Sequence, residues 1–314
     1  MLKSVLPTVS RSTWWKLRGR LNTFYRLEAL ATSKSFENRL FLRFEDRTYT
    51  YAQAYDTVLR YSTWLIEYHG VKRGELVALD FQNTDTLIFL LFAVWSLGAI
   101  PALINYNLTG NALVHCIRRS GARLVLVDPT VADHVGEDVR SQLTDVNFEV
   151  VTAALELQML GCEPIRPPDA LREDVMPDDM GALVFTSGTT GLPKAAIVSW
   201  AKIVVVGGFT SGFIGTRSSD VYYTVSRPLK VSLGDTLMPS SGYASVPQHC
   251  IADGPLQRAF SRRHVCHVLQ VFDHPFLGGR PKTRRQHHSV CWRNMSIFTV
   301  RATYHGPGHG RESR

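Results

Sequence analysis

Along the first two thirds of the chain, short apolar runs alternate with longer segments whose apolar positions recur every three or four residues. The runs predict buried strands and the longer segments predict amphipathic helices. The pattern gives strands over 41–44 and 48–51, around a turn at Glu45-Asp46-Arg47, then a helix over 51–69. A strand over 76–81, a helix over 86–97 and a strand over 102–106 follow, then a helix over 111–119 and strands over 123–127 and 146–152. Strands alternating with helices predict an α/β fold with parallel-rich sheets and helices on both faces. Residues 164–179, rich in Pro and Asp, read as a loop.

Two segments bear on membranes. Residues 87–104 are almost wholly apolar, at a length borderline for a span. Gly98 and Pro101 interrupt them, which predicts a buried helix to about Leu97, a turn, and a buried strand over 101–105. Residues 11–31 place Trp14, Leu17, Leu21 and Phe24 at helical spacing among Arg11, Lys16, Arg18, Arg20 and Arg26. This is either an interfacial helix on an anionic membrane or an amphipathic helix packed on the domain.

The segment that carries chemistry lies between two apolar runs, 182–185 and 195–198. It reads Thr186-Ser187-Gly188-Thr189-Thr190-Gly191-Leu192-Pro193-Lys194. Gly188 and Gly191 let the backbone bend so that N–H groups can converge on phosphate oxygens. Thr186, Ser187, Thr189 and Thr190 add hydroxyl donors, Lys194 adds a positive charge, and Pro193 stiffens the exit. Donors preset where charge develops on a leaving pyrophosphate lower the barrier without reorganisation. This is not a Walker A loop: no helix start follows, and Lys194 precedes Ala195 rather than Ser or Thr.

The run resembles the phosphate-binding signature of the adenylate-forming enzymes. Further segments narrow the resemblance to the fungal very-long-chain acyl-CoA synthetases, or fatty-acid transport proteins. They are Asp80-Phe81-Gln82-Asn83-Thr84-Asp85, Phe92-Ala93-Val94-Trp95-Ser96-Leu97-Gly98-Ala99, Ile104-Asn105-Tyr106-Asn107-Leu108-Thr109-Gly110 and Leu124-Val125-Leu126-Val127-Asp128. The resemblance covers residues 22–225. It implies an incomplete N-terminal domain of an enzyme that joins a long-chain carboxylate to AMP and then to CoA. ATP, Mg2+ and CoA are the implied cofactors and a fatty acid the implied substrate. The implied setting is intracellular, peripheral on the endoplasmic reticulum, peroxisome or lipid droplet. The phosphate-binding residues carried over are Thr186, Ser187, Gly188, Thr189, Thr190, Gly191 and Lys194. No metal ligand is assigned.

Past Asp220-Val221-Tyr222-Tyr223-Thr224-Val225 the resemblance stops. The family continues Met-Pro-Leu-Tyr-His-Ser-Ser-Gly, whereas this chain reads Ser226-Arg227-Pro228-Leu229. Composition changes at the same point. Residues 226–314 hold 13 Lys and Arg against 4 Asp and Glu, while the preceding residues carry a net charge of −1. The formal charge of +8 is therefore a property of the tail. Val225-Ser226 can be encoded by an intron-donor hexamer. Reading residues 284–297 one nucleotide out of frame permits Asp-Ala-Asn-Ile-Ile-Gln-Tyr-Val-Gly-Glu-Thr-Cys-Arg-Tyr, which the family has in that place. Residues 270–277 permit a second family segment in the same frame.

Three parts are thus predicted: a basic amphipathic segment 1–40, a partial AMP-binding domain 41–225, and an aberrant, out-of-frame basic tail 226–314 that is irregular or disordered. The His264, Cys266, His267, His287 and His288 of the tail have no zinc-finger spacing, and its arginines do not call for nucleic acid. The five cysteines form no CxxC pair, which points to a reducing compartment. Residues 1–9 lack a signal-peptide layout, and Glu312-Ser313-Arg314 is no peroxisomal address. The family's second nucleotide motif, its ribose-binding Asp, its hinge and the Lys of its small domain are not found. The expectation is an inactive, truncated synthetase. The alternative is a non-catalytic remnant that binds a membrane or a partner.

Overall fold

The computed structural model describes residues 20–186, 191–206, 222–225, 242–245 and 266–269. Helix α1 (Phe24–Ala31) comes first, followed by the hairpin of β1 (Leu40–Phe44) and β2 (Arg47–Thr50). Then come α2 (Tyr51–His69), β3 (Leu76–Asp80), α3 (Asp85–Ser96), β4 (Ile100–Ile104), α4 (Gly110–Ser120) and β5 (Leu124–Val127). A 3-10 segment (Pro129–Val135), the single turn α5 (Glu137–Arg140), β6 (Asn147–Val150) and α6 (Ala153–Gly161) lead to β7 (Met180–Thr186) and β8 (Lys194–Ser199). Strands β9 (Tyr222–Val225), β10 (Gly242–Ser245) and β11 (Cys266–Leu269) complete the described elements.

Local sequence accounts for the helix ends. Thr50 and Gln53 form a capping box at the start of α2, and Gly70 ends it in the left-handed region at φ +56°. Thr84 caps α3 by accepting from the Leu87 N–H at 3.2 Å. Gly121 ends α4 at φ +69°, with Arg118 and Arg119 in the last turn, where the helix dipole favours positive charge.

The six-stranded sheet has the order β6-β5-β3-β4-β7-β8. Its first five strands are parallel, and β8 returns antiparallel to β7. Side chains alternate between faces. Val77, Leu79, Leu124 and Leu126 pack with α1, α2 and α3, while Ala78, Val125 and Val127 pack with α4 and the β5–β6 connection. Both faces are covered, as the runs of apolar strand residues predict. Residues 87–104 are the buried helix α3, a turn at Gly98 and strand β4, and no described helix is long and apolar enough to cross a membrane.

The first hairpin lies apart from the parallel sheet. Strands β1 and β2 belong to a separate five-stranded sheet of order β10-β9-β11-β1-β2, whose pairings are antiparallel. Of the tail, expected to be irregular, the described residues comprise the two four-residue strands β10 and β11. The basic aromatic segment is described from residue 20 onward, and there Phe24, Tyr25 and Leu27 are buried in the core. That half is a packed amphipathic helix. Trp14 and Leu17 lie outside the described residues.

Candidate functional site

The carboxyl ends of the parallel strands converge on one edge, where open α/β sheets hold their ligands. Asp80, Ile104, Val127, Val150 and Thr186 end their strands there. From β7 the chain enters the Gly/Thr-rich run and returns as β8. The hairpin register pairs Thr186 with Lys194, Phe185 with Ala195 and Val184 with Ala196. The Thr186 hydroxyl donates to the Lys194 carbonyl at 3.4 Å, closing the mouth of the hairpin. Gly191 sits at φ +102°, a conformation that favours glycine. Ser187, Gly188, Thr189 and Thr190 lie outside the described residues. Of the residues singled out from sequence, Thr186, Gly191 and Lys194 are therefore placed, at the two feet of one hairpin.

The hairpin is tied to the body at its base and at its exit. At the base, the Trp95 indole N–H of α3 donates to the Gly181 carbonyl at 2.7 Å. The same tryptophan packs on Trp200, ring centroids 5.5 Å apart. At the exit, His115 Nε2 of α4 lies 3.1 Å from the Pro193 carbonyl oxygen. An open hollow of about 450 Å³ lies between α4 and β8, lined by His115, Arg119, Leu192, Pro193, Lys194 and Ala195. Sequence reasoning missed His115 and Arg119. Their four-residue spacing on α4 was the available signal.

A second feature at the same edge is a pair of acids on adjacent strands. Asp128 follows β5 and accepts from the Thr130 N–H at 2.8 Å, the Thr130 hydroxyl at 2.6 Å and the Gln82 N–H at 3.3 Å. Asp80 ends β3, is wholly buried, and neither of its carboxyl oxygens has a hydrogen-bond partner. Burial, aided by the Asp128 charge, pushes its carboxyl from 3.8 up to about 7. Burial and Asp80 likewise raise the nearby Cys116 thiol to about 11, so this sulfur is no nucleophile at neutral pH.

The Asp80 shift has a definite sign. Between about pH 4 and 7 the folded state holds a proton that the unfolded chain releases, so stability falls as pH rises. The expected slope is about 1.4 kcal/mol per pH unit across that window. Urea unfolding of Asp80→Asn should lose this slope and gain relative stability above pH 7. An unchanged slope would show that Asp80 is ionised in the fold.

Among the described residues no group of three or more His, Cys, Asp or Glu is placed to hold a metal.

Similarity to known proteins agrees with this architecture. The AMP-binding enzyme family matches residues 30–234. The very long-chain fatty acid transport protein of Saccharomyces cerevisiae is 37% identical over 171 residues, covering 51% of this chain and 25% of the yeast protein. The very long-chain fatty acid transport protein of Cochliobolus heterostrophus is 32% identical over 189 residues, covering 60% of this chain and 29% of its own length. The chain thus spans between about a quarter and a third of the length of these two relatives. Among solved structures, apo MatB of Rhodopseudomonas palustris superposes with a TM-score of 0.54 at 20% identity, covering 64% of this chain and 39% of MatB. The o-succinylbenzoate CoA synthetase MenE of Bacillus subtilis superposes with a TM-score of 0.52 at 21% identity, covering 62% of this chain and 47% of MenE. These two likenesses establish the fold. With about two thirds of its length matched by that family, the chain belongs to the AMP-binding enzymes.

Proposed function

We propose that this chain is the phosphate-binding part of a fatty acid–CoA ligase. The reaction would join a long-chain carboxylate to the AMP portion of ATP, release pyrophosphate, and then exchange AMP for the thiol of CoA. The observation that carries the reading is the β7–β8 hairpin, which presents Thr186, Gly191 and Lys194 at the carboxyl edge of the parallel sheet. Thr186, Ser187, Gly188, Thr189, Thr190 and Gly191 would offer hydroxyl and backbone donors to the phosphates, and Lys194 a positive charge. Such donors act by being fixed before charge develops on the leaving group. The fatty-acid assignment is supported by the names of the yeast and Cochliobolus relatives. In this reading the protein is peripheral on an intracellular membrane. Liposome co-sedimentation checks that, and absence of binding removes it.

The same proposal divides the chain into a basic segment 1–40, an AMP-binding part 41–225 and an out-of-frame tail 226–314. Sequencing the mature transcript across the codons for residues 225–274 decides the tail: a spliced message in the shifted frame supports it, and a message encoding the present tail overturns it. ATP–pyrophosphate exchange with long-chain fatty acids tests the activity. The chain of 314 residues should give none, and a frame-restored protein should give fatty acid-dependent exchange. In that protein Lys194→Ala should lower exchange about tenfold, the scale of one charge-assisted hydrogen bond. Robust exchange by the present chain would refute the truncated reading.

A further inference from the structure

Helix α4 carries His115 and Arg119 four residues apart, and so on one face. That face meets β8, and both side chains line the hollow beside the hairpin exit. A carbonyl oxygen only accepts, so His115 carries its hydrogen on Nε2 and donates to Pro193. Nearby arginines are committed to the scaffold: Arg118 donates to the Gln142 carbonyl at 2.6 Å, and Arg123 donates to the His69 carbonyl at 2.6 Å and pairs with Glu75. Arg119 and Lys194 are exposed, and their side chains make no hydrogen bond or ion pair among the described residues. Among the described residues no carboxylate lines the hollow. Cations gathered in a concavity without a counter-charge favour an anion, and the low-dielectric walls of Leu192 and Pro193 focus that field. The planar guanidinium fork suits phosphate oxygens in particular.

We infer that α4 completes the phosphate site. Arg119 binds a phosphate-chain anion together with Lys194, and His115 is a positioning residue that fixes the loop exit through the Pro193 carbonyl. This rests on the hairpin being a phosphate loop, but it extends the site to a helix distant in sequence, outside the Gly/Thr-rich run.

Calorimetric titration of the full chain with inorganic pyrophosphate tests it, using Arg119→Gln, His115→Ala, His115→Gln and Thr186→Val. Arg119→Gln should weaken binding about tenfold or more with an unchanged thermal midpoint, because Arg119 is exposed. His115→Ala should weaken binding, and His115→Gln should restore much of it, since its amide N–H can serve the same carbonyl. Unchanged affinity in Arg119→Gln overturns the inference, and in that case a loss in Thr186→Val keeps the hairpin reading intact. Dependence on Arg119 without dependence on Thr186 overturns the hairpin reading and with it the joint site. A wild-type chain that binds no pyrophosphate overturns both. Should His115→Ala fail to fold, Arg119→Gln alone decides.

Discussion

Arg172→Ala should destabilise the domain by about 3–5 kcal/mol, the cost of removing one partner from a buried charged network. Arg172 is wholly buried although it lies in the Pro- and Asp-rich segment that sequence reads as a loop. Its guanidinium lies over the rings of Phe24 and Tyr25, 4.5 and 5.0 Å from their centroids. It donates to the carbonyl of Ser96 at 2.9 Å, to those of Pro167 and Pro168 at 3.1 and 3.2 Å, and to Asp169 at 3.0 Å. It therefore joins three parts of the chain: α1, the end of α3, and the connection to β7. Truncation leaves these carbonyls without their donor and a void beside two aromatic rings. Burial lowers the pKa of the group, yet a guanidinium stays charged at any physiological pH. Arg172→Lys should not rescue, because one guanidinium nitrogen serves the three carbonyls while the other serves Asp169, and a single ammonium lacks that fork. Urea unfolding measures the loss, and a loss below about 1 kcal/mol would assign the burial of Arg172 to packing alone.

Gly98→Ala should be nearly as damaging, by about 3 kcal/mol or more. Gly98 turns α3 into β4 at φ +65°, and a Cβ there would lie 1.8 Å from the Leu171 carbonyl oxygen and 2.8 Å from its carbon. The obstacle is backbone, which cannot swing aside as a side chain can. Gly121→Ala is the matched control. Its φ is +69°, but nothing lies within 4 Å of the added Cβ, so only the backbone strain of about 1 kcal/mol remains. Paired thermal melts separate the two costs. Equal shifts in both variants would show that the 164–179 connection moves away freely.

Both substitutions act on one contact region, the seam where the 164–179 connection crosses the end of α3. The seam lies on the same body that Trp95 uses to hold Gly181 at the base of the hairpin. Loosening it should therefore affect the candidate site through the placement of β7, without touching Thr186 or Lys194.

The two halves of the fold differ in how legible they were. Helix α2 declares itself through its capping box and terminal glycine, and β5 through four consecutive apolar residues with both faces covered. Helix α6 did not. Its Leu155, Leu157 and Met159 alternate with Glu156 and Gln158, which is a strand-like period. Thr152 decides for helix by accepting from the Leu155 N–H at 3.3 Å. Only Met159 of this helix is buried, and Leu157 is 70% exposed, so no amphipathic stripe marked it. The Gly/Thr-rich run was legible as a loop between strands because glycine, hydroxyl and lysine chemistry is concentrated in nine consecutive residues.

What the sequence determined by itself is local: which segments are apolar with a given period, where a cap or glycine ends a helix, and where glycine and hydroxyl chemistry is concentrated. The tertiary structure alone decided which distant residues meet. It set β1 and β2 in a second sheet, buried Asp80 without a hydrogen-bond partner, laid Arg172 over two aromatic rings, and brought His115 and Arg119 to the hairpin exit. The physical reason is that periodicity reports which side of an element is buried, whereas the cost or use of a charge depends on what packs against that side.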